Sequence, residues 1–111
     1  MKSFIAVDLE TTGLSPELDH IIEIGALKYI DGVCVEKFSK LVKPPVSISD
    51  RITEITGIDD GMVTNADPIE VVWSAFEEFV NQEEVLLGHN LKFDYAFLKA
   101  ADQRQKKTFT K

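Results

Sequence analysis

Phe4-Ile5-Ala6-Val7-Asp8-Leu9-Glu10-Thr11-Thr12-Gly13-Leu14 is an apolar run that ends on two acids one residue apart, followed at once by a threonine pair and a glycine. The run from Phe4 to Val7 reads as a buried strand, and residues two apart on a strand point to the same side. Asp8 and Glu10 therefore project together from the carboxyl end of that strand, while Leu9 turns into the opposite layer. Two like charges that close repel. The pair is tolerated if it stays solvated, if one acid takes a proton, or if a divalent cation binds; Mg²⁺ and Mn²⁺ favour such carboxylate oxygens.

Working outward, Ile21 to Ile30 reads as a second strand, rich in β-branched residues with partial alternation. Asp31-Gly32 supplies a two-residue hairpin turn into Val33-Cys34-Val35 and on to Leu41-Val42, and Pro44-Pro45 ends this third strand by removing ladder donors. A short helix is expected from Ser49 to Thr56, closed by Gly57. The next helix has Asp67 as its expected N-cap and Pro68 at its first position. Ile69, Val72, Trp73, Phe76, Phe79 and Val80 then recur at spacings of three and four, one apolar stripe with Trp73 in the core. Val85-Leu86-Leu87 makes a fourth strand, Gly88-His89-Asn90 a turn, and Phe93 to about Gln103 a last helix with Ala96, Phe97 and Ala100 inward.

A chain of 111 residues with 44% hydrophobic content, seven Phe and one Trp is one domain with enough apolar surface for a single core. Residues 1–103 are expected to form that domain, with 104–111 as a basic C-terminal tail. No apolar run approaches the roughly 20 residues of a membrane span, and the N-terminus lacks a secretory pattern, so a cytoplasmic protein is expected. Cys34 is the only cysteine, expected as core or strand filler, and it has no thiol partner for a bridge or a thiolate metal site. The formal charge of −7 argues against binding nucleic acid by electrostatics alone. Residues 1–91 hold 6 basic and 17 acidic side chains, whereas residues 92–111 hold 6 basic and 2 acidic ones. The basic end, which includes Lys92, Lys99 and Arg104, reads as a solvated helix end. Neither G-x-x-x-x-G-K-[ST] nor G-x-G-x-x-G is present, which leaves triphosphate loops and dinucleotide sites without support.

The second chemical feature is His89-Asn90-Leu91-Lys92-Phe93-Asp94, directly after the fourth strand. Asp94 falls at or near a helix's first turn, where the dipole favours an anion, and by itself it reads as a capping carboxylate. If the first and fourth strands are adjacent and parallel, Asp94 instead lies beside Asp8 and Glu10. Three acids then converge at the strand ends, where open α/β sheets bind ligands.

V-D-L-E-T-T-G-L, I-I-E-I-G-A, I-T-E-I-T-G-I-D-D-G-M-V and H-N-L-K-F-D-Y-A-F-L, in this order and spacing, resemble the DnaQ-like (DEDD) 3′→5′ exonucleases, which include the epsilon proofreading subunit of bacterial DNA polymerase III. The similarity runs from about Phe4 to Leu98. It implies an α/β ribonuclease H-like fold: a mixed sheet with its first three strands antiparallel and the fourth parallel to the first, flanked by helices. It implies that Asp8, Glu10 and Asp94 hold two divalent ions, Mg²⁺ or Mn²⁺. Thr11 and Thr12 would place main-chain and hydroxyl groups near the terminal nucleotide, with Leu14 on its base. Ile55 and Thr56 would shape the pocket, and His89, Asn90 and Phe93 match the second motif, Phe93 as a packing support. Glu23 is read as structural. The implied reaction is hydrolysis of the 3′-terminal phosphodiester of single-stranded DNA, releasing nucleoside 5′-monophosphates in proofreading or repair, with a DNA polymerase subunit as partner.

The chain also departs from the family. Relatives carry a fourth acid, with a histidine or tyrosine a few residues before it, on a helix beyond the second motif. After Asp94 these 111 residues contain only Asp102 as an acid and no histidine. A final strand and helix are expected to be lacking, with weak or single-ion metal binding and weak or no hydrolysis by this chain alone. Val85 to Leu87 would then form an open sheet edge, a route to self-association. The alternative is a non-catalytic fragment of the same fold that binds nucleic acid or a polymerase.

Overall fold

The structure, a computed structural model, describes residues 3–80, 85–88 and 91–109, with side chains described from 3 to 80 and from 94 to 104. Strand β1 (Ser3–Thr11) is followed by β2 (Ile21–Ile30) and β3 (Val33–Leu41), helices α1 (Asp50–Thr56), α2 (Asp60–Val63) and α3 (Ile69–Phe79), strand β4 (Val85–Gly88) and helix α4 (Leu91–Phe109). The sheet order is β3-β2-β1-β4. β1 pairs antiparallel with β2 and parallel with β4, and β2 pairs antiparallel with β3. The mixed topology is the expected one, with β4 at one edge of the described sheet.

The β2–β3 connection forms because Asp31 and Gly32 both adopt positive φ, 49° and 84°, which the tightest hairpin turns require. Along β1, Ile5, Val7, Leu9 and Thr11 are buried while the residues between them are not. That buried face meets Ile24 and Ala26 of β2, Val72, Trp73 and Phe76 of α3, and Phe97, Leu98 and Ala101 of α4, so both long helices cover the same side of the sheet. Ile22, Ile48, Ile58 and Val63 form a second cluster that ties β2 to the α1–α2 segment. Asp59 caps α2 by accepting from the Met62 N–H at 2.9 Å, and the Asp60 carboxylate accepts from Ser47 Oγ at 2.6 Å and from the Ile48 N–H at 2.8 Å. Those two bonds hold the Asp60 carboxyl below its ordinary pKa. The I-D-D-G stretch is therefore a cap and a pin, and α2 is a turn of helix that the pattern of apolar residues did not announce.

Three expectations are corrected. Helix α3 is capped by Pro68 in an extended conformation, and no side chain bonds its N-terminus. Asp67 is occupied instead through its carbonyl, which accepts from the Lys43 N–H at 2.9 Å beside a Lys43–Pro68 bridge, and this pairing moves the helix start by one residue. Helix α4 runs on to Phe109 because residues 103–107, Gln-Arg-Gln-Lys-Lys, are good helix formers with no breaker among them. Gly88 belongs to β4 rather than to a turn, since it pairs with Val7. Of the two places expected for Cys34 it takes the strand, exposed on the edge strand β3. On α4 the buried set is Phe97, Leu98 and Ala101, with Ala96 and Ala100 half-buried. Among the described residues no helix is long and apolar enough to cross a membrane.

Phe97 is among the largest fully buried side chains and joins α4 to the sheet. Phe97→Ala should cost about 3–5 kcal/mol, enough to unfold much of a domain this size. Urea denaturation followed by the fluorescence of Trp73 measures it, and a loss under about 1 kcal/mol would mean α4 is not docked as described.

Candidate nuclease site

Burial of one face of β1 decides where its acids go. Asp8 is exposed, Glu10 is partly exposed, and Leu9 between them is buried. The β1–β2 register sets Glu10 opposite Glu23 and Asp8 opposite Gly25, with an irregularity just after Glu10 that ends the regular pairing. The parallel pairing of β1 with β4 brings the start of α4 to the same end of the sheet, with Asp94 in its first turn and 4% exposed. Asp94 is itself partnered.

The Glu10 carboxyl is raised above its ordinary pKa of 4.5, first by burial and then by the charges of Asp8, Glu23 and Asp94, in falling order. Asp8, Glu10 and Asp94 are thus brought into one electrostatic neighbourhood, and Glu23 joins them. Glu23 was read as structural because its facing of Glu10 follows from strand register, and the signal available was its place in an alternating strand paired to the D-x-E strand. Among the described residues no three His, Cys, Asp or Glu side chains already stand close enough to cage a metal ion. The acids form a like-charged group around Glu10, all of them hard oxygen donors.

Beyond Glu10 lies a cleft of about 640 Å³, lined by Glu10, Thr11, Thr12, Gly13, Leu14 and Asp19 from the β1 end and by Ser49, Arg51, Ile52, Ile55 and Thr56 from α1 and its cap. The Ser49 hydroxyl accepts from the Ile52 N–H and Gly57 closes α1. The spacing 51, 52, 55, 56 then presents one helical face to the cleft. Leu14 is 86% exposed and Ile55 69% exposed, two large apolar side chains that line one cavity. Arg51, a cation in the same lining, was missed by motif reading although it stands one turn before Ile55. Asp8 lines a second depression, with Phe4, Ala6, Gly25 and Leu27.

The threonine pair is used within its own loop. Thr11 Oγ1 donates to the Gly13 carbonyl at 2.7 Å, and Thr12 Oγ1 donates to Asp19 at 3.3 Å while accepting from the His20 N–H at 2.9 Å. Asp19 also accepts from the Ser15 N–H at 2.9 Å, and its carboxylate lies so near Gly13 that a Cβ there would overlap it. The hydroxyl of Thr56 is likewise engaged, donating to the Ile52 carbonyl and accepting from the Ile58 N–H. His89 and Asn90, and the side chain of Phe93, lie outside the described residues. His20 is pushed below its ordinary pKa by burial and by the Arg104 charge, partly opposed by Asp19, and it lines a separate pocket with Lys43, Glu70, Phe97 and Arg104.

A family model described as Exonuclease, RNase T, matches residues 5–110. DNA polymerase III PolC-type of Thermotoga petrophila is 45% identical over 97 residues, covering 87% of this chain and 7% of that protein. The Clostridium perfringens PolC-type polymerase is 46% identical over 96 residues, covering 86% and 7%. The chain thus spans about 7% of the length of these curated relatives. Among solved structures, E. coli exonuclease I in complex with a dT13 oligonucleotide matches with a TM-score of 0.83 at 20% identity, over 95% of this chain and 24% of that one. The exonuclease I/SSB-Ct complex matches with a TM-score of 0.84 at the same identity and coverage. These structures share the fold.

Because its folded-state pKa is raised, Glu10 favours the fold when protonated, and this contribution declines as pH rises from 4.5 through the raised value. Glu10→Gln should therefore raise the melting temperature of the metal-free chain at pH 7 by about 2–4 °C, with the difference shrinking at pH 4. Thermal melts by circular dichroism check this, and an equal fall at pH 7 would mean the acids do not repel.

Proposed function

Since the chain belongs to the exonuclease family, we propose that it is a 3′→5′ exonuclease domain that removes the terminal nucleotide of single-stranded DNA as a nucleoside 5′-monophosphate, in proofreading or repair. The observation that carries this reading is the cleft lined both by Glu10 and by the exposed apolar side chains of Leu14 and Ile55. Carboxylates suit a phosphate only through a cation, while paired apolar side chains suit the two faces of a base.

Asp8, Glu10 and Asp94 are the residues that would hold Mg²⁺ or Mn²⁺. Their donors are all carboxylate oxygens, the hard donors these ions favour, and burial together with the charges of Asp8, Glu23 and Asp94 raises the Glu10 pKa, an environment that a neighbouring positive charge would ease. The chemistry such a cation would supply there is activation of a water and neutralisation of phosphate charge, with the three carboxylates as its oxygen donors. Glu23 adds negative charge behind Glu10 and strengthens the preference for a cation. Leu14 and Ile55 flank the terminal base, Thr11 and Thr12 set the backbone of the loop beneath it, Thr56 shapes the floor, and Arg51 offers a charge to a substrate phosphate. His89, Asn90 and Phe93 keep the roles the family resemblance gives them. The setting proposed is the replication machinery in the cytoplasm, with a polymerase subunit as partner, as the PolC-type names of the relatives suggest.

The 111 residues hold no H-x-x-x-x-D segment after Asp94 that would provide a general base and a fourth acid. General acid–base catalysis contributes 10²–10⁴-fold, so these 111 residues should degrade a 5′-labelled single strand at least about 100-fold more slowly than an exonuclease domain that carries both groups. It should still bind thymidine 5′-monophosphate in the presence of Mn²⁺, with affinity reduced at least about tenfold by Asp94→Asn or by chelator. Calorimetric titration and a gel assay measure the two. Nucleotide binding indifferent to both chelator and Asp94, or degradation from the 5′ end, would contradict the reading.

A further inference from the structure

The loop between β1 and β2, residues 12–20, carries Leu14 to the cleft, yet its apolar side chains do not anchor it. Leu14 and Leu18 are 86% and 79% exposed, and the loop is held by polar contacts instead. From inside, Asp19 bonds Ser15 and Thr12, and the Thr12 N–H donates to the His20 carbonyl at 2.8 Å to close the neck. From outside, one side chain reaches it across more than eighty residues of sequence. The Arg104 guanidinium donates to the carbonyls of Pro16 at 3.0 Å, Glu17 at 2.9 Å and Asp19 at 3.3 Å.

Three carbonyls of one loop turned to one guanidinium make a cationic clamp. Charge-assisted donors of fixed planar geometry are the strongest hydrogen bonds a side chain offers to backbone, and lysine has no such fork. The clamp also has a mechanical consequence. Asp94 and Arg104 lie on the same helix, ten residues and so roughly 15 Å apart. One rigid element then places a carboxylate near Glu10 at its start and the Leu14 loop further along.

We propose that Arg104 is a positioning residue of the exonuclease site: by gripping the Pro16–Asp19 carbonyls it holds the Thr12–His20 loop, and with it Leu14, in the arrangement that receives the terminal nucleotide. This rests on the proposed exonuclease reading for its consequence, but the grip on the loop stands on the hydrogen bonds alone. Arg104 touches no substrate. It acts through the loop, so its loss should weaken nucleotide affinity and leave metal affinity in place.

The test uses the 111-residue chain with Arg104→Ala, Arg104→Lys and, as a control on the exposed face of the same helix, Gln103→Ala. Amide hydrogen exchange of Thr12, Leu18 and Asp19, whose N–H groups bond within the loop, should quicken about tenfold in Arg104→Ala and less in Arg104→Lys. Affinity for thymidine 5′-monophosphate with saturating Mn²⁺ should fall about five- to tenfold, while affinity for Mn²⁺ alone stays within about twofold. Gln103→Ala should match the wild type in all three. Unchanged exchange in Arg104→Ala would overturn the clamp. So would nucleotide and Mn²⁺ affinities falling together, which marks general loosening, or full retention of nucleotide affinity. If Arg104→Ala fails to fold, Arg104→Lys carries the same comparison. A wild-type chain that binds no nucleotide would defeat the exonuclease reading, and the exchange rates would still decide the clamp.

Discussion

The structure depends on a strand with one buried face. Ile5, Val7 and Leu9 are packed beneath α3 and α4, and period-2 geometry leaves Asp8 and Glu10 no choice but the other side. Slipping β1 by a single residue would put two carboxylates into the core and three large apolar side chains into water, so the register is strongly determined. Hydrophobic burial thus holds together charges that repel. Burial of the Glu10 carboxyl, and after it the charges of Asp8, Glu23 and Asp94, push its pKa upward.

The same principle organises the rest of the site. Pairing β1 with β2 brings Glu23 opposite Glu10, and pairing β1 with β4 delivers Asp94 on α4, whose Phe97 and Ala101 are buried against the same core. Polar groups take over where the chain leaves the sheet. Thr11, Thr12, Asp19 and Arg104 organise the loop, Ser49 and Asp59 cap the short helices, and Asp60 pins the segment before α1. Those contacts leave Leu14 and Ile55 exposed, an apolar cost that a domain tolerates where a ligand is to cover it. Gly13 is needed because the Asp19 carboxylate occupies the space of a Cβ.

Local pattern made much of this legible. The three antiparallel strands, the Asp31-Gly32 turn, the apolar stripe of α3 and the outward pair Asp8 and Glu10 all follow from periodicity and turn chemistry within short windows. Asp94 needed one further step, the adjacency of β1 and β4. What stayed hidden depends on contacts distant in sequence. Glu23 acquires meaning only once the β1–β2 register is known, and Arg104 only once α4 lies beside a loop eighty residues earlier. The intraloop partners of the threonine hydroxyls, Gly13, Asp19 and His20, are likewise invisible to local pattern. The start of α3 moved because Asp67 and Pro68 pair with Lys43, a long-range bridge that overrides a good local cap.

The central claim is that Asp8, Glu10 and Asp94, carried on two different elements, answer to one divalent cation. Paramagnetic broadening of backbone amides by substoichiometric Mn²⁺ tests it most directly, since the effect falls steeply with distance from the ion. The account predicts that amides from Asp8 to Thr12 and those around Asp94 broaden together, at the same Mn²⁺ concentration. Broadening that spares Asp94, or that centres on Asp59 and Asp60 instead, would contradict it.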